Sequence, residues 1–313
     1  MLRKIKDYEF DRYAEFAYRL AMEPACSGFP LYTDGIKTKE DFLERSRRGL
    51  CREEEELLLF EREGNVQGWV HYYVIKEDCY IGICSLLIGD GQESALEELM
   101  AYWKQRFPGY EWSMYFPEEN REALSFMSRR GYRDKGKEAV NVLLFKEYQT
   151  REESGFVFPV GRENFDLFRK IHAGFEAEMY WTSDRIWEDL ENWEIFAYVI
   201  PEEEKVFGDT AVDPAPVKAG KGCCKGVIYY NRQTSKDLEI FGIDVPDLLG
   251  GVVEALLIAC LNKAKEVHAE SMYFFNERFP NEIPEGLGFR RITTAHYFEE
   301  NLSEKNRPDS CFF

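Results

Sequence analysis

The sequence predicts an α+β protein with mixed sheets, built as two tandem copies of one domain. The stretch SMYF occurs at residues 113–116 and again at 271–274. Upstream, GWVHYY at 68–73 has a counterpart in GVIYY at 226–230. Both pairs are 158 residues apart (271 − 113 and 226 − 68), so the repeat has the size of a domain rather than of a solenoid unit. A length of 313 residues also favours two domains.

In the first half, apolar residues recur at helical spacing and then at strand spacing. Gly131 ends the last helical segment, as glycine does at many helix C-termini. We predict helices at 7–22, 39–47, 95–107 and 120–130, and strands at 56–61, 66–75, 79–88, 110–116 and 139–145.

The second half repeats this order, and a short polar linker at 150–154 sets the predicted domains at 1–150 and 151–313. Its main difference is an insert at 201–224, rich in Pro, Gly and Ala, which predicts a long surface loop. We predict helices at 163–176, 183–192 and 252–267, and strands at 155–160, 194–200, 226–230, 237–245, 271–275 and 292–298.

Composition narrows the possible partners. The formal net charge of −18 disfavours nucleic acid and anionic membrane surfaces. No apolar run approaches the ~20 residues of a membrane span, and the N-terminus lacks the apolar core of a signal peptide. The cysteines form no CxxC pair, although adjacent Cys223 and Cys224 leave metal binding or redox sensing open. We expect a cytoplasmic protein without a metal site; the oligomeric state is not indicated.

Two longer stretches carry a family resemblance. YFPEENREALSFMSRRGYR at 115–133 and LEIFGIDVPDLLGGVVEALLIACL at 238–261 resemble the late and central segments of the GNAT superfamily, which contains acyl-CoA-dependent N-acyltransferases. The resemblance implies two GNAT-like domains and acetyl-CoA as the cosubstrate. In the first stretch, the matching residues are Asn120, Ala123, Phe126, Gly131 and Tyr132.

The resemblance also places a turn for the pyrophosphate of coenzyme A, where N–H groups at a helix start meet the anion. The family pattern for this turn is Gln/Arg-x-x-Gly-x-Gly/Ala. Aligning the helices puts Gly251 and Gly91 at its first glycine. In the first copy, Asp90 and Glu93 would oppose a pyrophosphate by roughly 1 kcal/mol per close pair. We therefore expect the second half to bind the donor, and the first to be mainly structural. Either turn could instead be a tight connection that needs glycine for its backbone alone.

The resemblance implies that the donor is bound by Ile243, Val245, Leu249, Gly250, Gly251, Val252 and Asn276. Neither copy keeps the Gln or Arg of the family pattern.

For catalysis, an amine must lose a proton before it attacks a thioester, and Glu239 stands where some family members carry a glutamate base. The usual tyrosine acid is replaced by Met127 and Pro284, so Tyr273 is the candidate acid, with Tyr115, Tyr297 or water as alternatives. Both candidates have a plainer interpretation: Glu239 could face solvent, and Tyr273 could belong to the core.

For the acceptor, the family uses the first two helices and their loop. That loop carries carboxylates beside aromatic rings, which suit a cationic amine, although an acidic protein also places such residues on solvated helix ends. The sequence thus predicts an N-acetyltransferase acting on a primary amine of a small molecule or peptide. The alternative is a non-catalytic module that binds CoA, an amine or a protein. The acceptor residues are Glu176, Glu178, Tyr180 and Trp181.

Overall fold

The computed structural model describes residues 1–201, 222–232 and 236–302. The chain forms two compact units: unit 1 is Met1–Glu138 with the segment from Ile292 onwards, and unit 2 is Ala139–Arg291. Both combine helices with a mixed sheet, so the predicted α+β class is confirmed.

The elements are given in chain order. The first are β1 (Leu2–Lys4), α1 (Phe10–Ala21), α2 (Lys39–Cys51), β2 (Glu55–Arg62), β3 (Asn65–Ile75), β4 (Tyr80–Ile88), α3 (Gln92–Arg106), β5 (Glu111–Pro117), α4 (Arg121–Arg130) and β6 (Arg133–Leu144). The others are β7 (Val157–Pro159), α5 (Asp166–His172), α6 (Ser183–Glu188), β8 (Trp193–Ile200), β9 (Cys223–Asn231), β10 (Asp237–Asp244), α7 (Gly250–Glu266), β11 (Ser271–Asn276), α8 (Glu282–Gly286) and β12 (Arg290–Asn301).

The sheet of unit 1 runs in the order β1, β2, β3, β4, β5 and β12, and it is antiparallel except where β4 meets β5. Helices α1 and α2 cover one face, packing Phe10 and Phe42 against Trp69. Helices α3 and α4 cover the other face, packing Trp103 and Phe126 in a second core. Apolar side chains on alternate strand positions supply both cores.

The sheet of unit 2 runs in the order β6, β11, β10, β9, β8 and β7, with β10 and β11 parallel. Helix α7 packs on one face through fully buried residues such as Leu256 and Leu257. Helices α5 and α6 pack on the other through Phe168 and Ile186. The two units thus repeat one plan.

Each unit takes its last strand from the other half of the sequence. Residues 139–144 of β6 pair with β11 in unit 2. Residues 295–301 of β12 pair with β5 in unit 1. The predicted boundary at residue 150 follows sequence order, whereas the units follow strand pairing. The reason is that the two terminal strands are apolar in similar ways, and a strand pattern does not specify which sheet the strand joins.

Two short elements escaped the sequence analysis, namely β1 and α8, because three to five residues are too few to show a period. Most of the predicted insert lies outside the described residues. Its last two residues, Cys223 and Cys224, are free thiols that begin β9 rather than end a loop. Within the described ranges, no helix is long and apolar enough to cross a membrane.

The exchange of strands predicts that a substitution near the C-terminus destabilises the N-terminal unit. Phe298 on β12 is 3% exposed and packs near Phe116 in the core of α3 and α4. Phe298→Ala should destabilise unit 1 by about 3 kcal/mol. Hydrogen exchange measured by mass spectrometry should then accelerate in α3 and β5.

The matched control is Phe289→Ala. Phe289 is equally buried but packs against Phe274 in unit 2. This variant should accelerate exchange in α7 and β11 instead. If both variants loosen the same unit, the assignment of β12 to unit 1 is wrong.

Candidate functional site

Two parallel strands part at a β-bulge in unit 2. The parallel pairing of β10 with β11 extends as far as Ile240 and Phe274. At Phe241 the register of β10 against β9 shifts, as it does where a bulge bends a strand. β10 then continues to Asp244 and β11 to Asn276, and the described residues include no further register pair between them. The strands therefore leave a gap edged by backbone polar groups.

Beyond the gap, a turn leads to the N-terminus of α7. Leu248 adopts φ 51°, in the left-handed region that favours glycine, and Leu249 is the N-cap. Gly250 and Gly251 open the helix and are exposed, and a Cβ on Gly251 would meet no heavy atom within 4 Å. The first turn contains no acidic residue. Exposed N–H groups at such a helix start favour a phosphate or diphosphate.

The predicted donor residues divide into two groups. Leu249, Gly250 and Gly251 lie at the exposed turn. The side chains of Ile243, Val245 and Val252 instead pack in the core between β10 and α7. These three can contribute to a donor site only through their backbone groups.

Asn276 is engaged by the loop that follows β11. Its Nδ2 donates to the Phe279 carbonyl oxygen at 2.9 Å and to Asn281 Oδ1 at 3.3 Å, and its Oδ1 accepts from the Phe279 N–H at 3.0 Å. The side chain is 5% exposed. Asn276 therefore shapes the end of the gap by fixing this loop.

The predicted base and acid are neighbours. Glu239 on β10 and Tyr273 on β11 are register partners in the parallel pair. The residues beside them, such as Leu238 and Met272, pack against α7, so Glu239 and Tyr273 face the opposite side of the sheet. Glu239 is half-buried and Tyr273 is 8% exposed. The pair lies just before the strands part.

The predicted acceptor residues lie on the same face but differ in their contacts. Glu176 Oε2 accepts from the N–H and hydroxyl of Ser183 at 2.6 and 2.8 Å, and these bonds, the backbone N–H first, lower the pKa of Glu176. Tyr180 is 51% exposed, with the Arg185 guanidinium 4.0 Å from its ring centroid. Glu178 ends a short 3-10 turn, and its side chain lies outside the described part of the chain.

Trp181 connects this loop to the bulge. Its ring packs edge-on against Trp193 and against Phe241 of the bulge, with centroids 5.0 and 6.2 Å apart. Phe241 also lies 5.3 Å from Trp193. These rings line one wall beside the parting strands, which places the predicted acceptor loop next to the predicted donor gap.

Sequence reasoning missed a buried ionisable pair behind this wall. His172 at the end of α5 and Asp244 at the end of β10 are 0% and 4% exposed. His172 Nδ1 lies 2.7 Å from Asp244 Oδ2, and Nε2 lies 2.9 Å from the Trp181 carbonyl oxygen. The residues are 72 positions apart, so no local pattern could have joined them.

The pair titrates abnormally. Burial opposes the charged form of His172, but the hydrogen bonds to Asp244 and to the Trp181 carbonyl outweigh it and raise the pKa of the imidazole. Burial also raises the pKa of Asp244, which His172 and the nearby Arg278 partly offset. The Arg278 guanidinium lies 4.5 Å from the Phe175 ring centroid. The pair thus retains a proton to higher pH than free histidine.

In unit 1 the corresponding gap is filled by the chain itself. Within the described residues, β4 and β5 pair in parallel at two register positions. Residues 27–29, here called the bridging segment, then run between the strands. Gly28 N–H donates to the Leu86 carbonyl of β4 at 2.7 Å, and Phe29 N–H donates to the Tyr115 carbonyl of β5 at 2.8 Å. The segment satisfies both strand edges.

The helices beside the gap hold the bridging segment in place. Asn120, the N-cap of α4, donates from Nδ2 to the Ser27 carbonyl at 3.0 Å and accepts from the Ala123 N–H at 3.1 Å. Gln92, the first residue of α3, donates to the Ala25 carbonyl at 2.8 Å. Both side chains are buried.

The start of α3 also differs electrostatically from that of α7. Glu93 is the second residue of α3, and its N–H approaches a Glu122 carboxylate oxygen at 3.4 Å. The second residue of α7 is Gly251. Gly91 is the N-cap of α3 and adopts φ 69°, whereas Gly251 is the second residue of α7, so the two glycines that the sequence aligned differ in helix position.

One buried polar cluster in unit 1 has the residue types of a metal site. Ligand atoms of Glu55, His71 and Cys84 lie within 4.8 Å of one another. However, Glu55 pairs with Arg48 and Arg52 at 3.2 Å, and Arg45 hydrogen-bonds to Cys84. A cation would meet these guanidinium groups, so the cluster fits a metal ion poorly.

The comparisons with known proteins identify the fold. No protein-family model matches the chain, and no curated protein matches it. Among solved structures, a GCN5-related N-acetyltransferase from Sphaerobacter thermophilus aligns with 96% of this chain and 95% of its own at a TM-score of 0.59 and 12% identity. A tandem GNAT protein from the clavulanic acid biosynthesis pathway aligns over 98% and 99% at a TM-score of 0.51 and 10% identity.

A third match extends this result. A glucosamine N-acetyltransferase region of a fungal multi-domain β-N-acetylglucosaminidase aligns over 95% of this chain and 38% of its own, at a TM-score of 0.54 and 10% identity. The chain therefore has the GNAT fold, and it has it in the tandem form, as the sequence resemblance predicted. Identities this low establish the fold alone.

The bridging segment can be tested with Asn120→Asp. This change keeps the oxygen that caps Ala123 but replaces the donor to Ser27 with a carboxylate. It should destabilise unit 1 by about 1–3 kcal/mol, because a buried carbonyl loses its partner. The amides of Gly28 and Phe29 should exchange faster by NMR or mass spectrometry.

Thr38→Ala is the control, since it removes the N-cap of α2 without touching the segment. Its effect on stability should be about 1 kcal/mol. Unchanged exchange at Gly28 and Phe29 in Asn120→Asp would show that the segment is not held by Asn120.

Proposed function

We propose that this chain is an N-acetyltransferase in which unit 2 binds acetyl-CoA and transfers the acetyl group directly to a primary amine of a small molecule or peptide. The main support for this proposal is the difference between the gaps in the two units. The gap in unit 1 is bridged by the chain, whereas in unit 2 the parting strands lead to an exposed helix start without acidic residues.

Acetyl-CoA fits this place chemically. Its diphosphate would meet the N–H groups at Gly250 and Gly251. Its linear arm carries two amides, which can hydrogen-bond to the strand edges in the gap as a neighbouring strand would. A tRNA-linked donor is disfavoured by the net charge of −18. The cysteines among the described residues are free thiols, which supports a cytoplasmic site of action.

The reaction assigns a role to each candidate. A primary amine with a pKa near 10 is on the order of 0.1% neutral at pH 7, so Glu239 accepts the ammonium proton before attack. The amine nitrogen then bonds to the thioester carbonyl carbon. The carbon–sulfur bond breaks, and the CoA thiolate takes a proton from Tyr273 or from water. The nitrogen loses its second proton, which restores the tyrosine hydroxyl or the water, and Glu239 returns the first proton to solvent. The products are an N-acetyl amide and CoA.

The acceptor is proposed to approach along the loop of residues 175–182. Tyr180 and Trp181 offer aromatic faces to an ammonium group. Glu176 adds negative charge, although its carboxylate is already bonded to Ser183. We propose no nucleic acid, membrane or metal as a partner. A non-catalytic binding module is the second candidate, because Met127 and Pro284 stand where a tyrosine acid is usual.

Donor binding is tested by calorimetry with acetyl-CoA. We expect one site per chain. Gly251→Glu should weaken binding about tenfold or more, since each close like-charge pair costs roughly 1 kcal/mol. Glu93→Gly makes the reverse change at the same helix position of unit 1 and should leave the affinity unchanged.

If Gly251→Glu binds acetyl-CoA with wild-type affinity, the donor does not bind at this helix start. An effect of Glu93→Gly would place a donor in unit 1.

Catalysis is tested by following thiol release from acetyl-CoA with diamines, amino acids, amino sugars and short peptides. Glu239→Gln should lower turnover by about 10²–10⁴-fold while acetyl-CoA binds as before. The rate of the wild type should rise with pH as a larger fraction of the amine becomes neutral. Equal turnover in Glu239→Gln would mean that another group is the base, and acetyl-CoA binding without turnover on any amine would favour the binding module.

A further inference from the structure

The protonation of His172 follows from its hydrogen-bond partners. Nε2 faces the carbonyl oxygen of Trp181, which can only accept, so Nε2 carries a hydrogen. Nδ1 faces the carboxylate of Asp244. If both groups were in their ordinary neutral-pH forms, Nδ1 would have no hydrogen and two acceptors would face each other at 2.7 Å. One further proton must therefore lie on either Nδ1 or Asp244.

The surroundings keep this proton in place. The Glu176 carboxylate lies 3.8 Å from Nε2 and favours a positive imidazole. The Phe168 ring stacks on the imidazole at 4.7 Å, and Tyr229 of β9 meets it edge-on at 5.2 Å. On the other side, the charge of Arg278 favours an ionised Asp244. These are the titratable and charged groups that the described residues place around the pair.

The pair joins three elements of the candidate acceptor site. His172 ends α5, Asp244 ends β10 three residues after the bulge at Phe241, and Trp181 belongs to the loop of residues 175–182. The Trp181 ring packs on Phe241, so its carbonyl and its ring are both fixed to the sheet. The loop is also joined to α6 through Glu176 and Ser183, whereas its hydrogen bond to β9, from Tyr229 Oη to Met179 Sδ at 3.8 Å, is weaker.

We propose that His172 is a positioning residue for the acceptor: the proton that it shares with Asp244 holds the loop of residues 175–182 against β10, and loss of that proton releases the loop. The inference rests on the proposed function only in taking this loop as the acceptor pocket. The sign follows from linkage. A proton held more tightly in the folded state stabilises the loop below the usual histidine pKa of about 6.5, and this stabilisation is lost as the pH rises through the folded pKa.

The test combines NMR and hydrogen exchange on the free protein between pH 5 and 10. The ¹⁵N shifts of His172 should show both ring nitrogens protonated, or Nε2 protonated beside a neutral Asp244, to a pH well above 6.5. Exchange of loop amides, corrected for the intrinsic pH dependence, should be slow at low pH and accelerate as the pair loses its proton.

Asp244→Asn removes the shared proton but can keep the hydrogen bonds of the pair. An asparagine amide can donate to Nδ1 while a neutral imidazole donates to Trp181, so this variant should keep the loop protected without a pH-dependent step. His172→Phe keeps an aromatic ring against Phe168 but loses both bonds, and should expose the loop at every pH. Asp184→Asn, which removes an 84% exposed carboxylate beside the loop, should behave as the wild type.

A His172 that titrates at or below 6.5, or loop exchange with the same pH dependence in wild type and Asp244→Asn, would overturn the proposal. If His172→Phe does not fold, the comparison of wild type with Asp244→Asn still decides. None of these measurements uses acetyl-CoA or an amine. Failure here would leave the proposed function standing, and a chain without acetyl-CoA binding could still show the switch.

Discussion

Parallel strands that part inside a sheet must satisfy the backbone N–H and C=O groups along their new edges, and this requirement shapes both units. Unpaired buried backbone groups are rare in folded proteins because each costs free energy comparable to a lost hydrogen bond. Unit 1 meets the requirement with residues 27–29, which bond to β4 on one side and β5 on the other. In unit 2 the register pairs of β10 with β11 among the described residues end at Ile240 and Phe274.

The same sheet positions carry different chemistry in the two units. When the two sheets are aligned at their bulges, Glu55, His71 and Cys84 of unit 1 occupy the positions that Trp193, Tyr229 and Phe241 occupy in unit 2. Unit 2 has an aromatic wall there, and unit 1 has a sealed polar cluster whose His71 pKa is lowered to about 4, chiefly by burial. A duplicated fold has thus closed one copy of its cleft and kept an apolar wall in the other.

The sequence predicted most elements, because an amphipathic helix such as α1, a long apolar helix such as α7 and apolar strands such as β3 and β10 give clear signals. It also predicted the GNAT fold from the repeated order of elements. The sequence could not predict that β6 pairs with β11 and β12 with β5, because a strand pattern does not specify which sheet the strand joins. The bridging segment lies between the predicted helices at 7–22 and 39–47, where no element was predicted, because Gly28 and Phe29 act through their backbone N–H groups, which no side-chain pattern reveals.

The candidate site was also predicted only in part, because some of its features depend on strand register and backbone contacts rather than on side-chain patterns. Glu239 was predicted from the family resemblance and Tyr273 as a substitute for the missing tyrosine acid. Their pairing became visible only through the register of β10 and β11. Ile243 and Val245 were predicted from the family resemblance, and their side chains belong to the core. His172 gave no signal, since its partner is distant in sequence and its role depends on which atoms face its two nitrogens.

The candidate site contains several carboxylates, and two of them have partners that reduce their negative charge. Glu176, Glu239 and Asp244 lie on the sheet face that carries the aromatic wall, which attracts a cation but also raises the free energy of placing carboxylates close together. Ser183 engages Glu176, and the proton held with His172 neutralises the charge at Asp244. The local field is therefore not the sum of three carboxylates.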